Sequence, residues 1–131
     1  MAVKPVREGF HTVTPYVMVQ EADKLINFVK QAFGATELLR TIGSAGGIHA
    51  EVRIGDSMIM VGGAQSGEQM PAAIYLYMND VDAVYKRALQ AGATSIMEPV
   101  DQSYGERSAG VKDPFGNVWY IAAPKKDVSL T

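Results

Sequence analysis

Two observations predict an α+β fold of two βαβββ modules, whose curved, mostly antiparallel sheets surround a pocket with the helices on the outside. First, one order of strand and helix patterns occurs twice along the 131 residues. Second, both predicted helices end in similar letters, Phe33-Gly34-Ala35-Thr36 and Ala91-Gly92-Ala93-Thr94. The predicted parts are a lead-in (1–11), a first module (12–63), a link (64–71), a second module (72–123) and a tail (124–131).

The composition is that of a globular chain and excludes several classes of partner. With 47% hydrophobic and 20% charged residues, one compact domain or two small halves are expected. A net charge of −2 gives no basic field, so we expect no nucleic-acid partner. The chain has no cysteine, which excludes disulfides and thiolate metal sites. No apolar run is long enough for a membrane span, and we predict a cytoplasmic protein without a membrane partner.

The first module is predicted from β-branched runs and one helical stripe. Thr12–Val19 has the composition of an edge strand, because it contains Pro15. From Ala22 onward, apolar residues recur with helical spacing until Gly34, which is typical of a helix C-terminal cap. Three further strands are predicted, at 37–42, 48–54 and 57–61.

The second module is predicted to follow the same order. A strand at 74–78 precedes a helix capped by Asn79. A short strand at 95–98, a polar loop at 99–108 and a closing hairpin at 110–122 complete it. The hairpin turn is Asp113-Pro114-Phe115-Gly116, in which proline presets φ and glycine tolerates a positive φ.

His49 and Glu51 form the sharpest chemical pattern. Residues i and i+2 of a strand lie on one face, so an imidazole and a carboxylate are expected side by side, as an acid/base pair or as two metal ligands. The alternative is that they form the solvent face of a half-buried strand together with Arg53, with Glu51 and Arg53 making cross-strand pairs. Both interpretations are open on the sequence alone.

The predicted polar loop and the last strand supply candidate ligand-binding side chains. Tyr104 and Arg107 could clamp a carboxylate or phosphate, although Arg107 could equally pair with Glu106 or Asp101. Trp119 and Tyr120 point to opposite faces, because they are adjacent in a strand.

Flat or adaptable apolar side chains are expected to form the walls of the pocket, or to be plain core. They are Met60, Tyr75 and Tyr77.

With two such halves, the stretch IHAEVRIGDSMIMV and the closing YGERSAGVKDPFGNVWYIA, the chain resembles the vicinal oxygen chelate superfamily, which comprises glyoxalases, bleomycin resistance proteins and dioxygenases. The resemblance is greatest to its PhnB-type, glyoxalase-like branch. It covers 12–123, and the DPFGN turn is its most specific part.

The resemblance implies metal-ligand positions on the first and last strands of each half. Counted from the turns, these positions fall near Thr14, Met60, Ala73 and Tyr120. None of the four residues is a good ligand for zinc, nickel or iron(II). We therefore predict no cofactor.

The resemblance implies a homodimer that binds a small organic, hydrophobic or aromatic ligand, with tyrosine 120 facing inward. The alternative is a lyase, isomerase or dioxygenase that uses a divalent metal at a displaced site, His49 and Glu51.

Overall fold

The computed structural model describes residues 5–43, 46–63 and 69–125. The described chain divides into two compact units. The first extends to Lys30 and continues over Gly34–Met70, whereas the second comprises Gln31–Phe33 and the chain from Pro71. Most of the predicted link, residues 64–68, lies outside the described residues, as do 1–4 of the lead-in and 126–131 of the tail.

The first βαβββ module contains one helix and a four-stranded mixed sheet. The sheet order is β1-β4-β3-β2, in which β1 runs parallel to β4 and the other pairs are antiparallel. The elements are β1 (Tyr16–Val19), α1 (Ala22–Phe33), β2 (Thr36–Ile42), β3 (Ile48–Ile54) and β4 (Ser57–Gly63).

The predicted helix has the expected bounds, and its last turn ends at Gly34. This glycine adopts φ 68°, a left-handed conformation that residues with a Cβ rarely occupy, and its N–H bonds to the carbonyl of Lys30. Strand β1 starts at Tyr16, four residues later than predicted. Pro15 lies just ahead of it, and the Pro15 carbonyl accepts a hydrogen bond from the N–H of Met60.

The alternation of β3 separates two chemically different faces of the first sheet. Ala50, Val52 and Ile54 are buried on one face. His49 and Glu51 lie on the other, which we call the polar face of the first sheet.

The second module repeats this architecture, with sheet order β5-β8-β7-β6 and β5 parallel to β8. The predicted α+β class with two βαβββ modules is confirmed. The elements are β5 (Ala73–Tyr77), α2 (Val81–Gln90), β6 (Thr94–Asp101), β7 (Glu106–Lys112) and β8 (Val118–Pro124).

Two predicted boundaries in the second module are wrong. Helix α2 is capped by Asp80 rather than Asn79: the Asp80 side chain accepts a hydrogen bond from the Ala83 N–H at 3.2 Å. The predicted loop 99–108 is mostly strand, because β6 runs to Asp101 and β7 begins at Glu106. Only the turn 102–105 joins them.

Helix α2 packs on one face of the second sheet, against β6, β7 and β8. That face carries Trp119 and its register partners Ile74 and Val111. The opposite face carries Tyr75, Tyr120 and Gly110, which pair across β5, β8 and β7. We call it the tyrosine face.

The hairpin turn between β7 and β8 is organised by the buried carboxylate of Asp113. Its Oδ1 accepts the backbone N–H groups of Phe115 and Asn117, at 2.8 and 2.9 Å. Its Oδ2 accepts the Asn117 side-chain amide and the Trp119 indole, at 2.9 and 2.8 Å. The amide oxygen of Asn117 in turn accepts the N–H of Ala72. The DPFGN letters therefore specify a buried hydrogen-bond network as well as a reversal of the chain.

None of the helices that the structure describes is long and apolar enough to cross a membrane.

Candidate functional site

The tyrosine face of the second sheet brings together most of the predicted ligand-binding residues. Tyr75 and Tyr77 project from β5, and Tyr120 projects from β8 beside Tyr75. The rings of Tyr75 and Tyr120 have centroids 6.0 Å apart and are inclined by 30°. The rings of Tyr75 and Tyr77 are 5.4 Å apart and tilted by 59°. The result is a continuous aromatic surface on one side of the sheet.

A buried carboxylate, Glu106, joins two of these tyrosines. The hydroxyl of Tyr75 donates to Oε1 and that of Tyr77 donates to Oε2, both at 2.8 Å. Glu106 is only 8% exposed, whereas Tyr77 is 64% exposed. The acid therefore lies beneath phenols whose rings are open to solvent.

Both phenols are held in their protonated form. Burial, together with the hydrogen bond to Glu106 and the nearby charge, raises the pKa of Tyr75. The hydrogen bond to Glu106 is the main reason why the pKa of Tyr77 is raised as well. At neutral pH both hydroxyls are donors and Glu106 is their shared acceptor.

Tyr104 reaches this group from the turn between β6 and β7. The turn is closed by hydrogen bonds from Gln102 N to the Glu106 carbonyl, at 2.6 Å, and from Gly105 N to the Gln102 carbonyl, at 3.2 Å. Interaction with Tyr104 is one of the smaller causes of the raised pKa of Tyr75. Tyr104 is itself exposed.

The ring of Tyr120 lies close to Gly110 of the neighbouring strand. A Cβ added to Gly110 would lie 3.4 Å from Cδ1 and Cε1 of this ring, about the distance of an ordinary van der Waals contact. Gly110 therefore marks the point of β7 that the ring approaches.

Arg107 and Trp119, both predicted to bind ligand, lie on the other face of the same sheet. The guanidinium of Arg107 bonds to both carboxylate oxygens of Asp82, at 2.8 and 3.1 Å, and to Asp101 at 3.1 Å. Trp119 is fully buried and donates to Asp113. The structure thus brings neither to the tyrosine face, and we do not include them in the proposed site.

The polar face of the first sheet holds a second cluster, around Glu51. Arg7 makes a two-pronged ion pair with this carboxylate, with Nη1 to Oε2 at 2.6 Å and Nη2 to Oε1 at 3.0 Å. The Arg7 Cζ lies 4.7 Å from the centroid of the Phe10 ring. Glu51 is only 4% exposed and pairs with Arg7, so the alternative that it lies on a solvent face is wrong.

His49 lies on this face near Tyr16. The Tyr16 hydroxyl is 3.3 Å from Nδ1 of His49, and the ring centroids are 5.7 Å apart. Gly62 makes room for Tyr16, because a Cβ there would lie 2.7 Å from its ring carbon Cε1. Met60, half-buried on β4, is the register partner of both Tyr16 and Glu51.

The strand register shows which residues lie beside two of the predicted metal-ligand positions. In the first module Met60 has Tyr16 as its register partner, and Thr14 lies ahead of β1. In the second module Tyr120 pairs with Tyr75. The paired residues are a phenol and a thioether in the first module and two phenols in the second. Neutral phenols and a thioether do not fit the divalent ion that the fold family implies. Nor do any three His, Asp or Glu side chains within 5–43, 46–63 and 69–125 form a group that could hold a metal ion.

Sequence reasoning missed three residues of these clusters. Glu106 was assigned to a loop, Arg7 to the lead-in, and Tyr16 to strand structure without a role. One signal in the sequence could have identified Glu106. Residues 106, 108 and 110 alternate with the apolar residues Ala109 and Val111, a strand pattern that places Glu106 on the face opposite those two side chains.

Two repeated modules, each with a mixed sheet that presents polar and aromatic side chains on one face, define the class of paired βαβββ proteins. Residues 9–121 match the model of the Glyoxalase/Bleomycin resistance protein/Dioxygenase superfamily. The chain belongs to this superfamily.

Relatives and solved structures agree with this assignment. An uncharacterized protein of Mycobacterium bovis is 36% identical, over 90% of this chain and 86% of its own length. TioX from Micromonospora sp. ML1 superposes with a TM-score of 0.71 at 23% identity, over 92% of this chain and 100% of its own.

Two further structural neighbours are named after a function or after the PhnB branch. The fosfomycin resistance protein FosX from Listeria monocytogenes has a TM-score of 0.70 at 16% identity, over 87% of this chain and 93% of its own. The PhnB protein of Bacillus cereus has a TM-score of 0.65 at 14% identity, over 86% and 99%. At these identities the likeness is one of fold.

Proposed function

We propose that the protein binds a small aromatic organic molecule on the tyrosine face of the second sheet. The observation that supports this most is that two solvent-accessible tyrosines, Tyr75 and Tyr77, both donate hydrogen bonds to the buried carboxylate of Glu106. An aromatic surface with a few fixed polar groups is typical of small-molecule sites. The ligand would stack on Tyr75 and Tyr120, while the phenol network fixes its orientation.

The hydrogen bonds from Tyr75 and Tyr77 to Glu106 organise this face before any ligand arrives. Fixing the aromatic side chains in advance lowers the entropy cost of binding. Because the register pairs Tyr16–Met60 and Tyr75–Tyr120 offer only phenols and a thioether, the proposed binding requires no metal.

A thermal-shift and calorimetric titration tests the proposal. The probes are planar aromatic compounds: naphthol, quinoline, N-methylquinolinium and naphthoate. A ligand that binds the folded state raises the melting temperature in proportion to ln(1 + [L]/Kd). We expect at least one probe to do so, and Tyr75→Ala and Tyr120→Ala each to weaken binding about three- to tenfold, as expected for loss of an aromatic contact.

The control is Val13→Ala, which removes an exposed apolar side chain outside the cluster and should leave the affinity unchanged. If no probe binds, or if the two tyrosine variants bind as the unaltered protein does, the proposal is wrong.

The metal-dependent alternative at His49 and Glu51 is tested separately. Arg7 occupies both oxygens of Glu51, so a metal ion would have to displace a guanidinium. Stoichiometric retention of zinc, nickel, manganese or iron after desalting, lost in His49→Ala, would favour that alternative over simple binding.

The cytoplasmic location stays a prediction.

We further propose that the protein acts as a homodimer. Each sheet ends in a strand with exposed apolar side chains, among them Leu38 and Ile42 on β2 and Ile96 on β6. Such side chains favour association with a second copy. Light scattering measures the mass, and Ile42→Glu should lower it if β2 contributes to the dimer.

A further inference from the structure

Each module buries one glutamate on the face that carries its polar and aromatic side chains. Glu51 lies on the polar face of the first sheet, and Glu106 on the tyrosine face of the second. A buried carboxylate is costly unless it is paired with a cation or well hydrogen-bonded. The two modules meet this requirement in different ways.

In the first module the counter-ion is part of the chain. Arg7 places its guanidinium on both oxygens of Glu51, with Phe10 against the guanidinium plane. A cation between a buried carboxylate and an aromatic ring is the arrangement by which proteins recognise organic cations. Here the bound cation is an arginine side chain from the same module.

In the second module the carboxylate has aromatic partners but no cationic one within the described residues. Its hydrogen bonds come from the neutral phenols of Tyr75 and Tyr77. Two basic side chains lie near it along the strands, and both are engaged elsewhere. Arg107, the next residue of β7, pairs with Asp82 and Asp101 on the helix-bearing face. Lys125, which follows Glu106's register partner Pro124, pairs with Asp101 at 3.3 Å. Glu106 therefore has two hydrogen-bond donors but no counter-ion among the described residues.

From this difference we infer that the tyrosine face selects an organic cation, such as a quaternary or protonated aromatic amine. The inference rests on the proposed small-molecule function and specifies the charge of the ligand. A cation on the rings of Tyr75 and Tyr120 gains from their π-electrons and from the negative charge that Glu106 supplies just below. The hydrogen bond from Tyr75 to Glu106 strengthens this attraction, because a carboxylate acceptor makes the ring of Tyr75 more electron-rich. An anionic ligand would meet repulsion from the same group.

Calorimetric titration with three bicyclic probes of similar shape tests the inference. They are N-methylquinolinium, quinoline at a mildly alkaline pH where it is uncharged, and naphthoate. We expect the cation to bind about tenfold more tightly than quinoline, within the usual range of cation–π and ion-pair gains, and naphthoate to bind most weakly. The preference for the cation should decrease at high salt, since the rings are open to solvent.

Glu106→Gln identifies the origin of the preference. It keeps the shape and an acceptor oxygen but removes the charge, so the preference for the cation should fall well below tenfold, to the roughly two- to fivefold share expected from the tyrosine rings alone. Glu98→Gln is the matched control, because it makes the same change at an exposed position of the same sheet and should keep the tenfold ratio. If Glu106→Gln does not fold, the ranking of the three probes on the unaltered protein decides.

The outcomes separate the two proposals. Equal binding of cation and quinoline to the unaltered protein overturns the selection for a cation and leaves the aromatic-binding function intact. Tighter binding of naphthoate overturns it as well. If none of the three probes binds, the underlying function fails together with the inference.

Discussion

The hydroxyl of Tyr75 donates a 2.8 Å hydrogen bond to Oε1 of Glu106, a carboxylate almost wholly removed from solvent. A bond of this kind requires the phenol to keep its proton. The state of the tyrosine face therefore depends on pH in the range where tyrosines ionise.

The first prediction concerns stability at alkaline pH. In the folded protein the pKa values of Tyr75 and Tyr77 are raised, while in the unfolded chain tyrosine ionises near pH 10. Between these values the folded state binds more protons than the unfolded state, so stability falls as pH rises. The stabilisation from the two protonated phenols is fully present below about pH 10. It is lost as the pH rises through the raised pKa values of Tyr75 and Tyr77 in the folded protein. Denaturant unfolding at a series of alkaline pH values measures it.

Glu106→Gln should flatten this alkaline decline, because the charge that opposes phenolate formation is gone. In addition, near-ultraviolet absorbance should show two of the six tyrosines ionising at lower pH than in the unaltered protein. Glu98→Gln should change neither measurement. A titration curve that is the same in all three proteins would contradict the assignment.

The second prediction concerns the DPFGN turn. Asp113→Ala removes four hydrogen bonds and leaves the buried Asn117 amide and Trp119 indole without their acceptor. We expect a loss of about 2–4 kcal/mol in the free energy of unfolding, typical of a broken buried network. Trp119 is the only tryptophan, so its fluorescence should report both unfolding and any local loosening in the folded state.

Asp56→Ala is the matched control for this measurement. Asp56 occupies the corresponding turn between β3 and β4, but it is exposed and bonds only to the Ser57 hydroxyl in the described residues. Its replacement should cost less than about 0.5 kcal/mol, as for most surface positions. Similar losses for the two variants would mean that the Asp113 network contributes little.

Local patterns in the sequence predicted the elements well, because they depend on neighbouring residues. The alternation of 48–54 gave both faces of β3, and Gly34 marked the end of α1. The extent of β6 and β7 was missed because Pro99 and two irregularities in strand pairing, at Ser95/Met97 and Met97/Val100, break the regular pattern.

The site itself depends on contacts between residues far apart in the chain. Glu106 meets Tyr75 across 31 positions, and Arg7 meets Glu51 across 44. No local periodicity encodes such a pair. The tyrosines could be selected by residue type, whereas the carboxylate that joins them required the register of β5, β8 and β7.

The third prediction concerns acid pH and Arg107. Its hydrogen bonds lower the pKa of Asp82 and of Asp101. The stabilisation that these two carboxylates gain from Arg107 is present above the ordinary carboxyl pKa, near 4. It is lost as the pH falls through their lowered pKa values in the folded protein. Arg107→Ala should therefore be less stable than the unaltered protein at neutral pH, and the difference should vanish in strong acid. Denaturant unfolding across the acid range measures this.

Arg87→Ala, on the exposed side of α2, should show no such dependence. If Arg107→Ala stays less stable than the unaltered protein even after the carboxyl groups are protonated, the loss of stability comes from lost packing and not from the ion pairs. Unchanged affinity of Arg107→Ala for the aromatic probes is also expected, because this side chain lies on the helix-bearing face.

The fourth prediction tests which arginine neutralises Glu51. Arg7→Ala leaves the carboxylate of Glu51 buried without its guanidinium, and we expect a clear fall in the free energy of unfolding at neutral pH. Arg53→Ala removes the same charge from β3, two residues from Glu51. It should have little effect, because Arg53 is exposed and the ion pair of Glu51 in the described residues is with Arg7. Glu51→Gln in the Arg7→Ala background should recover part of the loss, since a neutral amide is less costly to bury than an unpaired charge. If instead Arg53→Ala is the more destabilising variant, or if Glu51→Gln deepens the loss in the Arg7→Ala background, the ion pair between the lead-in and β3 does not form in solution.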